Sequence, residues 1–203
     1  MDRMENGPKQ RDGRTVRAER THEALVEALL ALLDEGRVRP TAAEIAERAG
    51  VSERSVFQHF PDREVLFEAV AREQYERVVP TIRPVDASLS LAERVDEFVA
   101  QRCSVFERVA GVRRAALLME PESEVVAGWL TSVRRAGAAE VERVFRHELE
   151  ATPADEREAL RAALVAACAW GTFEALRFHQ GLSVSRTRSA MHTMVARLLG
   201  LQG

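Results

Sequence analysis

The stretch from Thr41 to Leu66, TAAEIAERAGVSERSVFQHFPDREVL, decides the fold of this chain. Its residues predict two short helices separated by a tight turn and followed directly by a third helix. Thr41 and Glu44 have the spacing of a capping box at the start of the first helix. Gly50 stands where a glycine in the left-handed conformation ends a helix, and Ser52 can cap the next one.

The second of these helices has an apolar side and a polar side. Val56 and Phe60 are four residues apart, so they share a face and can pack inward. The opposite face is predicted to carry Arg54, Ser55, Gln58 and His59. Such side chains can pair with base edges or phosphates, which favours a helix-turn-helix. By spacing alone, an ordinary helical hairpin with a solvated outer face remains the alternative.

A family resemblance strengthens the helix-turn-helix interpretation. The long first helix, the segments TAAEIAERAGVS and SVFQHFPDREVLF, and the length of 203 residues resemble the TetR/AcrR family of transcriptional regulators. The similar part is the DNA-binding domain, roughly the first seventy residues. The resemblance implies an all-α fold: an N-terminal three-helix helix-turn-helix domain plus a C-terminal helical ligand-binding and dimerisation bundle. It also implies a homodimeric repressor that a small-molecule effector releases from a pseudo-palindromic operator.

Two positions depart from the family pattern. Phe57 stands where the family usually has tyrosine, so a hydroxyl that often reaches a phosphate is missing. Arg63 stands where the family usually has lysine, and it keeps the positive charge near the start of the following helix. The first departure removes one expected backbone contact, whereas the second preserves one.

The predicted DNA-contacting residues fall into two groups. Those expected at base edges are Arg54, Ser55 and Gln58. Those expected at phosphates are Thr41, Ser52, His59 and Arg63. Before them, the segment from Arg3 to Arg20 carries six basic and three acidic residues, which predicts an arm along the phosphate backbone or in a minor groove. Arg14 and Arg17 are the expected contacts of this arm, and a solvated tail is the alternative.

The rest of the chain reads as helices. We expect the arm over residues 1–15, the helix-turn-helix domain over 16–79 and the ligand-binding and dimerisation domain over 80–203. The first helix is predicted from Val16 to Glu35. Gly111 is expected to divide the helix that begins after Ser90, and residues 122–149 form one long helix or a pair.

The two C-terminal helices are predicted to be the most apolar. Thr152 is expected to cap the first of them, with Pro153 at its first position. Its apolar face is predicted to continue to Gly181 through Leu160, Leu164, Ala167, Cys168, Gly171, Ala175 and Phe178. Ser183 begins the last helix, whose apolar seam comprises Val184, Met191, Val195, Leu198 and Leu199. This apolar surface suits a four-helix bundle across a two-fold axis, and the interior of a monomer is the alternative.

The ligand pocket implied by the resemblance has candidate lining residues on these helices. They are Phe98, Arg102, Cys103, Phe106, Met119, Trp129, Trp170, Phe173 and Phe178. Arg102 and His147 are the candidate polar anchors. The alternative for each of these residues is an ordinary place in the core or in a surface ion pair.

Composition and motifs exclude several classes of function. The chain has no G-x-S-x-G, H-E-x-x-H, C-x-x-C or Gly-rich phosphate loop, so neither an enzyme nor a metal site nor a cofactor is expected. Its two cysteines, Cys103 and Cys168, are expected to pack in the core. It has no membrane-length apolar run and no signal-peptide pattern, which predicts a cytoplasmic protein. The net charge of −3 keeps open a helical interaction protein that no longer binds DNA specifically.

Overall fold

A computed structural model describes the backbone of residues 13–201 and the side chains of residues 15–201. Helices dominate these residues, which contain no strand, so the predicted all-α class is confirmed. They divide into two compact units between Glu73 and Gln74. This division lies inside a helix, whereas the sequence suggested a boundary at residue 79, near the end of that helix.

The first unit contains the predicted three-helix domain. Its helices are α1 (Gly13–Asp34), α2 (Ala42–Ala49), α3 (Glu53–His59) and the first part of α4 (Arg63–Val78). Helix α1 begins three residues before Val16, so residues 13–15 belong to it and not to the predicted arm. Residues 1–12, which carry the rest of that arm, lie outside the described residues. Gly36 follows α1 with a φ of 86°, a conformation that favours glycine.

Apolar side chains from all four helices fill the interior of the first unit. The predicted face of α1 is buried, including Leu25, Leu29 and Leu33, and Ile45, Val56 and Val70 are buried with it. Phe60 is buried just after α3, and its ring lies 4.6 Å from the ring of His22 on α1. The end of α3 is therefore fixed against α1 by packing.

The second unit contains the remaining helices. A 3₁₀ turn at Val79–Thr81 precedes them, and a π-helical turn at Ala175–His179 follows the fifth of them. They are α5 (Leu91–Met119), α6 (Glu124–Val144), α7 (Arg146–Ala151), α8 (Ala154–Ala167), α9 (Trp170–Glu174) and α10 (Val184–Leu198).

Gly111 does not end a helix, although the sequence suggested that it would. Helix α5 runs without interruption from Leu91 to Met119, and Gly111 is buried inside it. A glycine within a helix costs about 1 kcal/mol relative to alanine, which tertiary packing readily outweighs. The segment over residues 122–149 is a pair of helices, one of the two predicted arrangements, because α6 ends at Val144 and α7 starts at Arg146.

The long apolar helix predicted up to Gly181 is broken. Helix α8 ends at Ala167, and Ala169 has extended backbone (φ −79°, ψ 158°) before α9 begins. The Thr172 hydroxyl donates to the Ala166 carbonyl at 2.6 Å, which satisfies an acceptor that the break releases. Apolar periodicity does not reveal such a break. The start of α8 also differs, because Pro153 is its N-cap and the Thr152 hydroxyl donates to the Glu148 carbonyl at 2.8 Å.

The core of the second unit takes up most of the apolar seam predicted on its last helices. Leu164, Met191 and Val195 are fully buried within the chain's own core, while Val184 and Leu198 remain exposed. The most apolar residues of α8 and α10 are therefore buried within the core of the chain itself.

Among the described residues, no single helix is long and apolar enough to cross a membrane. The pair Ala154–Ala167 and Trp170–His179, bent by 45°, meets the length and composition requirement only when taken together.

Candidate nucleic-acid interface

The turn between α2 and α3 is held by the capping interactions that the sequence predicted. Thr41 accepts from the Glu44 amide at 3.2 Å, and Glu44 accepts from the Thr41 amide at 2.8 Å. Gly50 is left-handed with a φ of 67°. Ser52 accepts from the Ser55 amide at 3.3 Å, and Val56 is buried one turn into α3. These interactions fix the orientation of α3 relative to α2. The backbone therefore determines which residues of α3 face outward.

The exposed face of α3 consists of Glu53, Arg54, Phe57 and Gln58. Because Arg54 precedes Phe57 and Gln58 by three and four residues, the three side chains lie on one side of the helix. Ser55 is half-buried, and its hydroxyl lies 2.8 Å from the Ser52 hydroxyl. Of the three predicted base-reading residues, Arg54 and Gln58 thus face outward, and Ser55 belongs to the cap of the helix.

Phe57 is the residue of this face whose role the sequence reasoning missed. It is 57 % exposed and lies beside Arg54 on the helix surface. The sequence identified it only as a position that lacks a phosphate-binding hydroxyl. The sequence could have shown that Phe57 faces outward. Its spacing from Arg54 and its spacing from the buried Val56 both place the ring on the outer side of α3.

The residues predicted at phosphates lie in different settings. The hydroxyls of Thr41 and Ser52 both take part in helix caps. The Thr41 hydroxyl also donates to the Glu44 carboxylate at 2.9 Å. Hydrogen bonding to Thr41 and the nearby Arg37 charge hold the pKa of Glu44 below its ordinary value. His59 is half-buried at the end of α3, with its ring 6.3 Å from that of His22. Arg63 is exposed at the first residue of α4, which Asp62 caps by accepting from the Val65 amide at 2.9 Å.

Some arginines of the first unit form ion pairs and others do not. Arg48 makes a two-point ion pair with Glu35 at 2.8 and 2.7 Å, and Arg37 lies 3.6 Å from Glu44. Within the described part of the chain, Arg54 and Arg63 are exposed and have no ion-pair partner. Their charges are therefore available to an anionic polymer.

The arm contacts are only partly visible. Arg17 is exposed on α1 and makes no ion pair with any residue that the structure describes. The backbone of Arg14 lies in α1, but its side chain lies outside the described residues. The predicted arm contacts therefore remain predictions.

Six of the residues proposed for a ligand pocket lie together in the second unit. Phe98, Cys103, Trp170 and Phe173 are buried in its core, and Phe106 packs against them at 5.6 Å from Trp170 and 5.2 Å from Phe173. The sixth, Arg102, lies over the Phe98 ring at 4.8 Å and donates to the Gly137 carbonyl at 3.2 Å. Burial lowers the pKa of the Arg102 guanidinium. These contacts give all six a packing role.

The other pocket candidates lie elsewhere. Met119 is the last residue of α5, and Trp129 is half-buried on α6. Phe178 is half-buried in the π-helical turn, with its ring 6.0 Å from that of Phe173. His147 is exposed beside Glu148 and does not enter the core. The pocket as a whole stays a prediction.

Both cysteines are buried and free, as predicted. The Sγ of Cys103 lies 3.6 Å from the Sδ of Met191. Burial raises the pKa of the Cys103 thiol to about 11 and that of the Cys168 thiol to about 11. Thiols with such pKa values are protonated at neutral pH and react slowly.

A short α2, a glycine turn and an α3 with an exposed polar face define a helix-turn-helix protein. Residues 24–70 match the family model described as bacterial regulatory proteins, tetR family. This match places the helix-turn-helix domain of the chain in the TetR family, as its sequence predicted.

The chain also resembles individual proteins. It is 31 % identical over 107 residues to the nucleoid occlusion factor SlmA of Vibrio vulnificus, an alignment covering 49 % of this chain and 55 % of that protein. It thus spans about half the length of the curated relative it matches.

Two solved structures from Rhodococcus share the fold. A transcriptional regulator has a TM-score of 0.68 at 19 % identity, over 88 % of this chain and 96 % of that one. A TetR-like transcriptional regulator has a TM-score of 0.59 at 20 % identity, over 95 % and 100 % of the two chains.

Proposed function

We propose that this protein is a DNA-binding transcriptional regulator, most simply a repressor, that reads its operator with the outer face of α3. The observation that carries the proposal is that Arg54, Phe57 and Gln58 share one exposed face on a helix fixed by caps and by buried Val56. A helix with such a face suits the major groove. The family match over residues 24–70 supports the same function.

The three side chains would divide the reading of the groove. Arg54 can donate two hydrogen bonds to guanine, and Gln58 can pair with adenine. Phe57 can contact the methyl group of thymine, an apolar contact that the tyrosine usual in the family would make less well. Arg63 and His59 would contact phosphates, and Arg17 with Arg14 would extend the contact along the backbone. Ser52, Ser55 and Thr41 would act through their backbone and through the caps they form.

We also propose that the protein works as a homodimer, because a single helix-turn-helix reads only one half-site. The surface available for this is the exposed side of α8 and α10. It presents the small residues Ala159, Ala162 and Ala166 on α8, and apolar Val184 and Leu198 on α10. Light scattering on the purified chain tests this part, and a monomer at micromolar concentrations would contradict it.

An effector is the remaining part of the proposal. A small molecule bound in the second unit would release the protein from DNA if it binds the DNA-free state more tightly. The protein would act in the cytoplasm without catalysing a reaction.

DNA binding is tested by fluorescence polarisation with duplexes covering the region upstream of the protein's own gene. Binding to one inverted repeat, with Arg54→Ala losing selectivity for it, supports the proposal.

One observation favours a second candidate. The similarity to a protein named a nucleoid occlusion factor is compatible with a nucleoid-binding protein that is not a promoter-specific regulator. Genome-wide mapping of bound DNA separates the two functions. A few sites at promoters support the regulator, and many dispersed sites without transcriptional effect support the second candidate.

A further inference from the structure

Two arginines of α5 are buried to the same degree but differ in their partners. Arg94 and Arg113 are each 7 % exposed. A buried guanidinium is costly unless hydrogen-bond acceptors and a negative charge compensate it. Arg94 has both, since it donates to the two Glu148 carboxylate oxygens at 3.0 and 2.5 Å and to the Val144 carbonyl at 2.6 Å.

Arg113 lacks the hydrogen-bonded carboxylate that Arg94 has. Its Nε is buried and lacks a hydrogen-bond partner, and its guanidinium makes no ion pair with any described residue. Two carboxylates act on it electrostatically, those of Glu120 and Glu174. Neither is in hydrogen-bonding contact with it, so this buried cation stands apart from the acceptors around it.

Those two carboxylates are already occupied by other donors. Glu120 accepts from both Nη atoms of Arg134, at 2.5 and 2.8 Å. Glu174 accepts from the Arg114 Nε at 3.2 Å and from the Trp170 Nε1 at 2.9 Å. Every carboxylate oxygen of the pair therefore has a donor other than Arg113.

We define an arginine cluster that comprises Arg113, Arg114, Arg134, Glu120 and Glu174. Its positive and negative charges are unequal in number. Three guanidiniums face two carboxylates, which leaves one positive charge. Burial, and then the neighbouring Arg134, lower the pKa of Arg113, but a guanidinium stays protonated in proteins. The cluster therefore lacks one negative charge.

We propose that Arg113 binds the carboxylate of a small organic monocarboxylate, which completes this cluster. A guanidinium matches a carboxylate through two parallel hydrogen bonds, and a single negative charge neutralises the surplus. Phosphate, which carries up to two negative charges at neutral pH, would leave an excess of negative charge beside Glu120 and Glu174. That this ligand is the effector rests on the proposed function.

The surroundings of the cluster suit a ligand with an apolar body. The Arg114 Cζ lies 3.4 Å from the centroid of the Phe178 ring. Trp170, which donates to Glu174, packs 5.6 Å from Phe106 and 5.5 Å from Phe173. The polar cluster is thus continuous with aromatic side chains, so an aromatic acid is the ligand class of choice.

Thermal unfolding of the full chain tests the site with benzoate, and with benzamide as its uncharged counterpart of the same shape. Benzoate at about five times its Kd is expected to raise the unfolding temperature by about 2–4 °C, and benzamide is not. Arg113→Met should abolish the shift, whereas Arg135→Met, which removes an exposed arginine on α6, should retain it. Equal shifts with benzoate and benzamide, no shift, or a shift retained in Arg113→Met would overturn the proposal. A phosphate shift as large as that of benzoate would overturn the assignment to a carboxylate.

The unfolding temperature of Arg113→Met in the absence of benzoate gives an independent readout. Methionine has a similar length without the charge, so Arg113→Met should unfold at the same or a higher temperature than the natural chain. A lower unfolding temperature would show that Arg113 already has a stabilising partner and would contradict the proposal.

DNA binding separates the site from the function. If benzoate binds at Arg113 but leaves operator affinity unchanged, the site stands and its role as effector site fails. If the chain binds no DNA at all, the proposed function fails while the benzoate shift still decides the site.

Discussion

Replacing Glu148 by glutamine tests how strongly the second unit depends on its buried ion pair. Glutamine keeps the shape of the side chain but removes the negative charge and one of the two acceptor oxygens that Arg94 uses. Breaking a buried pair on one side costs about 3–5 kcal/mol, because the remaining charge stays buried and uncompensated. The Glu148 side chain keeps 15 % exposure, so we expect a loss of about 3 kcal/mol, the low end of that range.

The assay is thermal unfolding followed by circular dichroism. For a chain of this size, 3 kcal/mol corresponds to a fall of about 6–12 °C in the unfolding temperature. Glu158→Gln is the matched control, because Glu158 pairs with Arg161 at the surface and its removal should change the unfolding temperature little. An equal change in both variants would refute the reasoning.

The same pair predicts a pH dependence. Hydrogen bonding to Arg94 lowers the pKa of Glu148 below its ordinary value. A lowered folded-state pKa adds stability that is fully present above the unfolded-state pKa and disappears as the pH falls through the folded-state value. The advantage of the natural chain over Glu148→Gln should therefore shrink only at acidic pH, below the ordinary range of a glutamate. A difference that stayed constant down to full protonation would contradict this account.

Three further substitutions and one labelling experiment have expected outcomes. Thr187→Val should raise the free energy of unfolding by about 1 kcal/mol in a urea titration, because the buried Thr187 hydroxyl lacks a partner; a loss of stability would contradict this. Cys103 and Cys168 should not react with Ellman's reagent at neutral pH until the chain unfolds, and fast labelling of the folded chain would contradict their burial. Thr41→Ala should cost about 1 kcal/mol in the same titration, and no change would show that the cap is dispensable. Phe57→Ala should remove the discrimination between thymine and deoxyuridine duplexes in a polarisation assay, and discrimination that survives would exclude a methyl contact.

The sequence predicted the helix-turn-helix well because local interactions determine it. Thr41 with Glu44, Gly50 and Ser52 act within a few residues, and each has the geometry that its residue type indicated. The spacing of Val56 and Phe60 likewise placed both side chains in the core.

Predictions that depend on tertiary packing were less accurate. Gly111 has a low helix propensity but is buried within α5, where tertiary packing outweighs that propensity. The break at Ala169 follows the alanine-rich end of α8, and the hydroxyl that stabilises it comes from Thr172 in the next helix. Ser55 stays a predicted base contact, and the helical period alone does not show that its hydroxyl lies 2.8 Å from that of Ser52.

Arg113 shows the same limit at a site. In the sequence it is one of two adjacent arginines on an amphipathic helix, and nothing distinguishes it from Arg114. Its burial and its lack of a partner are seen only in the structure, where Glu120 at the end of α5, Arg134 on α6 and Glu174 on α9 act on it. Such a site emerges only when the partners of every neighbouring carboxylate are known.

Above all, we propose that the outer face of α3 reads a DNA sequence. Selection of bound duplexes from a randomised library with the full chain, followed by affinity measurements at a fixed salt concentration, tests it most directly. The account predicts one enriched inverted repeat, for which Arg54→Ala loses affinity by about 5- to 150-fold while its affinity for unrelated DNA falls far less. A library without enrichment, or an Arg54→Ala variant that weakens binding equally on all sequences, would contradict it.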